Sequence, residues 1–392
     1  MTTLAALPVT TPPAHVGPAS RSVRGLLALE GGTAYAGELR GAPLPAEGEL
    51  IFTTAATGWG EILTDPSYAG QIVILTHPMV GNYRIRSTDL ESARVHARAL
   101  VVTRLVTPPG EGISVEELLL GARIPVITGI DTRALTLALR RGAGRRAVIW
   151  PGNVDTDHDE AVAAAAASSP WNAVDHVASV APRDGYRIAA EGAVRGRAVL
   201  IDYGVKRSLL AALTERGLDV VGLPPDATAG AVAAHEPDLV VLSPGPGDPS
   251  TMQPQIAVVA DLLAAATAGG PPLLGICLGH QLLGLAAGAP TRRLPVGHHG
   301  GNHGVIESAT GRVTIGAHNH EVAVVDHPAL AAAGMRVSHR DLNDDTVEGL
   351  VHVSGRVASV QFHPEGAPGP TDAAGLFDTA LLRTRLAGSA GA

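Results

Sequence analysis

Gly275-Ile276-Cys277-Leu278-Gly279-His280-Gln281 follows a short apolar run and opens a helix-forming stretch. Glycines on both sides of a potential nucleophile permit a sharp strand-to-helix turn that presents the central side chain at the strand's end. A thiol held there meets the N-terminal amides of a helix, which favour thiolate and stabilise an oxyanion on an attacked carbonyl. Cys277 is the only cysteine, so the chain forms no intrachain disulfide and no multi-thiolate metal site. Such a nucleophile needs a base, and Val360-Gln361-Phe362-His363-Pro364-Glu365 offers one. His363 and Glu365 share a face in extended backbone, so the carboxylate can orient the imidazole and support its charged form. Ser243-Pro244-Gly245-Pro246-Gly247-Asp248-Pro249, a rigid turn after an apolar run, exposes the N–H groups of Gly245 and Gly247 and can complete an oxyanion hole.

Five histidines, His298, His299, His303, His318 and His320, raise metal binding as a competing chemistry. His318 and His320 share a strand face by period two, and imidazole is a common ligand. No spacing matches a known zinc pattern and Gly297 to Gly304 reads as a loop, so no metal is expected.

The elements that must position these groups change character along the chain. Strands at Leu26–Leu29, Glu49–Thr54 and Gln71–Thr76, with helices over Ser114–Leu120 and from an Asp131 N-cap to Arg141, predict a β-rich first domain over 25–150. Residues 151–195 lose periodicity apart from a helical Ala161–Ala167 run and read as a linker region. From Ala198 strands alternate with helices, predicting an α/β domain with a mostly parallel sheet over 196–388. Residues 1–24 read as a flexible Pro-rich start.

At 392 residues, two or three domains are expected, and 45% hydrophobic with 17% charged residues indicates packed cores rather than disorder. A formal charge of −8 offers no general attraction to nucleic acid or anionic membrane, so neither partner is expected. No apolar run reaches the roughly 18 residues of a bilayer span. Residues 1–20 lack Lys and Arg and are broken by Pro8, Pro12, Pro13 and Pro18, unlike a secretory signal, so a cytoplasmic, reducing setting is expected. A single lysine, Lys206, stands among 29 basic residues.

Together the Cys277, Gly245-Pro-Gly247 and His363-Pro-Glu365 motifs, in this order, resemble the class I (triad) glutamine amidotransferases. That family hydrolyses the glutamine amide through a Cys thioester and passes ammonia to a synthetase. The β-rich first half narrows the choice: Glu61-Ile-Leu-Thr-Asp-Pro-Ser67-Tyr-Ala-Gly-Gln and Gly129-Ile-Asp-Thr-Arg133 there, with Asp202-Tyr-Gly-Val-Lys206-Arg and Gly297-His-His-Gly-Gly-Asn-His303 further on, are similar to the glutaminase subunits of carbamoyl-phosphate synthetases. The resemblance implies Cys277 as nucleophile, His363 as general base and acid, and Glu365 as its orienting partner. It also implies Gly245 and Leu278 as oxyanion donors, and Ser67, Gly247, Gln281 and Asn319 as holders of glutamine, in an active site between the domains. The implied partner is a large subunit that uses ATP and Mg²⁺ to make carbamoyl phosphate. No cofactor is expected in this chain, where Gly-x-x-x-x-Gly-Lys-Ser/Thr is absent.

Two departures weigh on glutamine binding. Asn319-His320-Glu321-Val322 stands where the family usually has Asn-His-Gly-Phe, and Pro244 stands where Asn is common. Glu321 is expected to be strained if its backbone needs positive φ, or to oppose the substrate carboxylate if its side chain turns inward. It therefore supports an alternative, a non-catalytic regulatory subunit of the same complex. A Cys-His hydrolase of another amide is a third reading.

Overall fold

The computed structural model describes residues 23–382. Residues 1–22 of the expected flexible start lie outside the described residues, and Val23 and Arg24 already belong to the first strand. The chain divides into two compact units between His176 and Val177.

In the first unit seven strands close into a barrel: β1 (Val23–Leu29), β2 (Ala34–Gly41), β3 (Ala46–Thr53), β4 (Gln71–Leu75), β5 (Ala99–Val101), β6 (Pro125–Thr128) and β7 (Arg146–Pro151), in the order β1-β2-β6-β5-β4-β3-β7. Alternate residues face two ways. Leu27, Leu29, Leu50, Ile72, Ile74 and Ile127 join one cluster, while Ile51, Val73, Leu75 and Val126 pack against Trp59, Ile62 and Leu63 of a short helix. The Asp131 carboxylate caps the helix Thr132–Arg140, accepting from the Ala134 N–H at 2.8 Å. The 151–195 segment is more ordered than its composition suggests. Its helix Val154–Ala167 lays Ala161 and Ala165 against Leu26, Ala28 and Val148, because a small-residue face fits closely on the barrel wall.

Among its described residues the second unit carries ten strands: β8 (Tyr186–Ile188), β9 (Gly196–Ile201), β10 (Leu218–Leu223), β11 (Leu239–Leu242), β12 (Leu273–Ile276), β13 (Thr291–Glu307), β14 (Val313–Val324), β15 (Met335–Asp341), β16 (Val347–His352) and β17 (Val357–Val360). They form one mixed sheet in the order β14-β13-β15-β16-β17-β12-β11-β9-β10-β8. The parallel sheet expected from the strand–helix rhythm is its centre, β17-β12-β11-β9-β10, with antiparallel strands on both flanks. Helices cover both faces of that centre. Val240 and Leu242 pack toward the helices Gln253–Thr267 and Leu278–Ala286, and Leu200 and Val241 toward Arg207–Thr214 and Phe377.

Gly297 to Gly304, read from its glycines as a loop, lies inside β13. It pairs with β14 through His298↔His320, His299↔Asn319 and Gly300↔His318, and the irregularity the glycines signal appears as register shifts on either side.

Adjacent strands β9, β11, β12 and β17 deliver Asp202–Lys206, Ser243–Pro249, Cys277 and Gln361–Glu365 from their C-terminal ends. The carboxyl edge of a parallel sheet is where such folds gather a site. Two close approaches hold this edge together. A Cβ at Gly275 would meet Gly279 O at 2.8 Å, and one at Gly279 would meet Leu242 O at 2.3 Å. Backbone atoms cannot yield as a side-chain tip does, so Gly279→Ala is expected to destabilise by roughly 1–3 kcal/mol. A lowered urea midpoint would show this; an unchanged midpoint would mean that the turn relaxes freely.

Candidate active site

Cys277 caps the helix Leu278–Ala286 and holds φ 52 and ψ −105, a conformation non-glycine residues rarely adopt. Such a backbone costs on the order of 1–3 kcal/mol and persists only where its surroundings over-determine it. Here the Cys277 N–H donates to Val360 O at 2.9 Å, and the flanking glycines permit the close turn. The thiol Sγ lies 3.9 Å from Asn319 O and accepts from Gln361 Nε2 at 3.6 Å. Leu278 N–H, first in that helix, is outside the i→i−4 ladder and free to meet an oxyanion.

His363 is buried, with Nδ1 2.8 Å from Glu365 Oε1. Its Nε2 has no hydrogen-bond partner among the described residues. Lys206 Nζ sits 2.8 Å from the same Glu365 Oε1 and donates to Ala367 O at 2.9 Å. Burial and the Lys206 charge oppose protonation of His363, but Glu365 and Cys277 outweigh them and its pKa is pushed up to about 9. Burial would raise the Glu365 carboxyl; Lys206 and His363 outweigh it and hold it well below the usual carboxylate range. The arrangement is a buried carboxylate between Lys206 and a His363 ring that keeps its second proton at neutral pH.

The residues expected to hold glutamine are placed unequally. Gly247 has φ 109, which requires glycine, and Gly245 brings its backbone against Tyr203, where a Cβ would meet Tyr203 O at 2.4 Å. Pro244 O accepts from Ser243 Oγ at 2.7 Å, and that Oγ accepts from Tyr203 N–H at 2.8 Å, so the proline turn is pinned from below. Asn319 Oδ1 pairs with His299 Nδ1 at 2.9 Å, leaving Nδ2 without a partner among the described residues. Gln281 spends its amide donors on Val322 O at 2.7 Å and Gln361 Oε1 at 3.1 Å, so its Oε1 is what remains for a ligand. Ser67 belongs to the first unit, where its N–H donates to Asp65 Oδ1 at 2.8 Å and its Oγ is buried without a partner among the described residues.

Glu321 corrects the expectation of backbone strain and meets partners on the inward side. It lies in β14 without positive φ, and its inward side chain meets His299 Nε2 at 2.7 Å and Arg293 at 3.9 Å. The carboxylate thus acts through His299 on Asn319 instead of standing as an unopposed charge. Lys206, Gln361 and His299 were missed as site residues. Only Lys206 carried a signal, its singularity in the composition; the pairing of Gln361 and His299 depends on strands far apart in sequence.

Two family models match the chain: a carbamoyl-phosphate synthase small chain domain over residues 27–149 and a class-I glutamine amidotransferase over residues 199–382. Curated relatives match across both. The carbamoyl phosphate synthase small chain of Bacillus caldolyticus is 41% identical over 92% of this chain and 96% of its own length. The protein of the same name from Methanopyrus kandleri is 42% identical over 93% of this chain and 99% of its own, and that of Symbiobacterium thermophilum 41% over 90% and 96%. The edge that gathers Cys277, His363 and Glu365 lies within the amidotransferase match, and the chain belongs to the carbamoyl phosphate synthase small chain family.

Proposed function

We propose that this chain is the glutamine-hydrolysing subunit of a carbamoyl phosphate synthase. The observation that carries the reading is the Cys277 turn beside His363, whose Nδ1 is tied to Glu365 and whose Nε2 is left for chemistry. The Cys277 sulfur attacks the side-chain amide carbon of glutamine, and the N–H groups of Leu278 and Gly245 receive the developing oxyanion. His363 gives its proton to the departing ammonia, leaving a thioester on Cys277. Water then adds to the thioester, with His363 taking its proton, and glutamate leaves as the thiol re-forms. Asn319 Nδ2, Gln281 Oε1 and Gly247 hold the amino acid end of glutamine. Ammonia passes to a large subunit, which brings the ATP and Mg²⁺ chemistry; the relatives' name, small chain, supports such a partner. Glu321, on which a non-catalytic reading rests, is paired with His299, so nothing in the site favours that reading. Among the described residues no helix is long and apolar enough to cross a membrane, consistent with work in the cytoplasm.

Cys277→Ser is expected to lower glutamine-dependent synthesis by at least about a thousand-fold in the assembled complex while ammonia-dependent synthesis persists. Glutaminase activity near the wild-type rate would remove Cys277 from the reaction. The alkaline limb of the glutaminase pH profile should fall near pH 9, where His363 loses the proton it gives to ammonia. Glu365→Gln removes the charge that stabilises the imidazolium, so the limb should move to lower pH. Lys206→Met removes a charge that opposes it, so the limb should move up. Shifts in one common direction would contradict these roles. Glu321→Gly should raise KM for glutamine about three- to ten-fold with kcat little changed, because His299 then holds Asn319 less firmly. A fall in KM would instead mark Glu321 as a carboxylate that repels substrate.

A further inference from the structure

Successive residues of β14 face opposite ways: Asn319 and Glu321 meet His299, whereas His318 and His320 turn toward His298 and Glu348. On this second face three imidazoles and one carboxylate from β13, β14 and β16 bring one ligand atom each to within 4.8 Å of one another. All four residues are buried, and Glu348 is 0% exposed.

The outer hydrogen bonds decide which nitrogens face inward. His320 Nδ1 lies 3.0 Å from Val322 O, and a carbonyl only accepts, so the proton is on Nδ1 and Nε2 carries a lone pair. That lone pair looks at Glu348 Oε1 from 3.7 Å. His298 binds the Asp344 carboxylate through Nε2 at 3.1 Å and turns Nδ1 to the same Oε1 at 3.5 Å. His318 lies 3.2 Å from Gly316 O through Nδ1 and 2.9 Å from Glu348 Oε2 through Nε2. His320 Nε2 and Glu348 Oε1 therefore converge as buried acceptors, with His298 Nδ1 beside them, and none of the three has a hydrogen-bond partner among the described residues. Facing lone pairs in a dry interior are costly unless a cation stands between them.

We propose that His298, His318, His320 and Glu348 form a structural site for a divalent transition-metal ion, Zn²⁺ foremost. Bonds of about 2.0–2.1 Å in a tetrahedron place ligand atoms roughly 3.3 Å apart, close to the 3.5 and 3.7 Å separations here. Three imidazoles with one carboxylate suit Zn²⁺ and disfavour Mg²⁺ or Ca²⁺, which take oxygen. Each imidazole is oriented by an outer acceptor, Asp344 or a backbone carbonyl, as metal-bound histidines are. The half-exposed Asp344 side chain marks the route in, and four protein ligands close the coordination sphere. The neighbouring His303 is already bonded to Asp341 at 3.2 Å and lies outside the set. The ion braces β14, whose Ala317 O receives the His363 N–H at 2.8 Å, so it steadies the catalytic edge without touching substrate. This inference revises the expectation of a metal-free chain and does not depend on the glutaminase reading.

The full chain, freed of metal by a chelator, would be titrated with Co²⁺ as a spectroscopic probe. Strong visible absorption typical of tetrahedral Co²⁺, saturating at one equivalent and displaced by Zn²⁺, is the expected result, with Zn²⁺ raising Tm by roughly 2–4 °C. Glu348→Gln, His320→Gln and His298→Gln should weaken Co²⁺ binding at least about a hundred-fold, and His303→Gln should leave it intact. Absence of a saturable signal in the unaltered chain would overturn the proposal and assign the cluster to protons alone. That titration is decisive even if a variant fails to fold. A signal surviving His320→Gln and Glu348→Gln, or lost only in His303→Gln, would also overturn it.

Discussion

One carboxylate oxygen bears much of this architecture. Glu365 Oε1 is shared by Lys206 Nζ and His363 Nδ1, each at 2.8 Å, in a region with almost no exposure. A buried charge is tolerable only when paired and hydrogen-bonded, so the segments after β9 and β17 must meet at this atom for the unit to fold as it does. The pairing fixes the His363 ring and its protonation. It also explains why the only lysine lies in the interior rather than among the surface arginines.

The grouping of Cys277, His363 and Glu365 was legible because its signals are local: a thiol between glycines after an apolar run, and an imidazole with a carboxylate two residues away. Strand and helix order was legible because each element carries its own period or cap, as Asp131 does. What stayed hidden was contact between distant strands. Lys206 and Glu365 lie 159 positions apart, and no spacing rule links them. Glu321 shows the same limit. Its charge was visible, but His299, which pairs with it, comes from the neighbouring strand. The Gly297–Gly304 stretch looked like a loop because glycine is usually a breaker, while in a two-strand ladder it accommodates bulges. The alanines of 154–167 gave no periodic stripe, yet small size is what lets that helix lie close to the barrel.

The sheet combines two designs. Its parallel centre presents four loops at one edge, whereas its antiparallel extension supplies long strands whose two faces can carry different chemistry. β13 and β14 use this freedom most fully, with His299, Asn319 and Glu321 on one side and His298, His318 and His320 on the other. Rigid strands hold polar groups more closely than loops do, and both clusters inherit that precision.

The alternation has a consequence for how this chain can vary. Because strand side chains repeat every two residues, deleting or inserting a single residue between Gly316 and Glu321 would exchange the two faces, sending Asn319 to the histidine cluster and a histidine toward the thiol. Changes of length there are survivable only in pairs or when absorbed by a compensating bulge. Point substitutions can retune either face alone, but the length of this six-residue stretch is held by both at once.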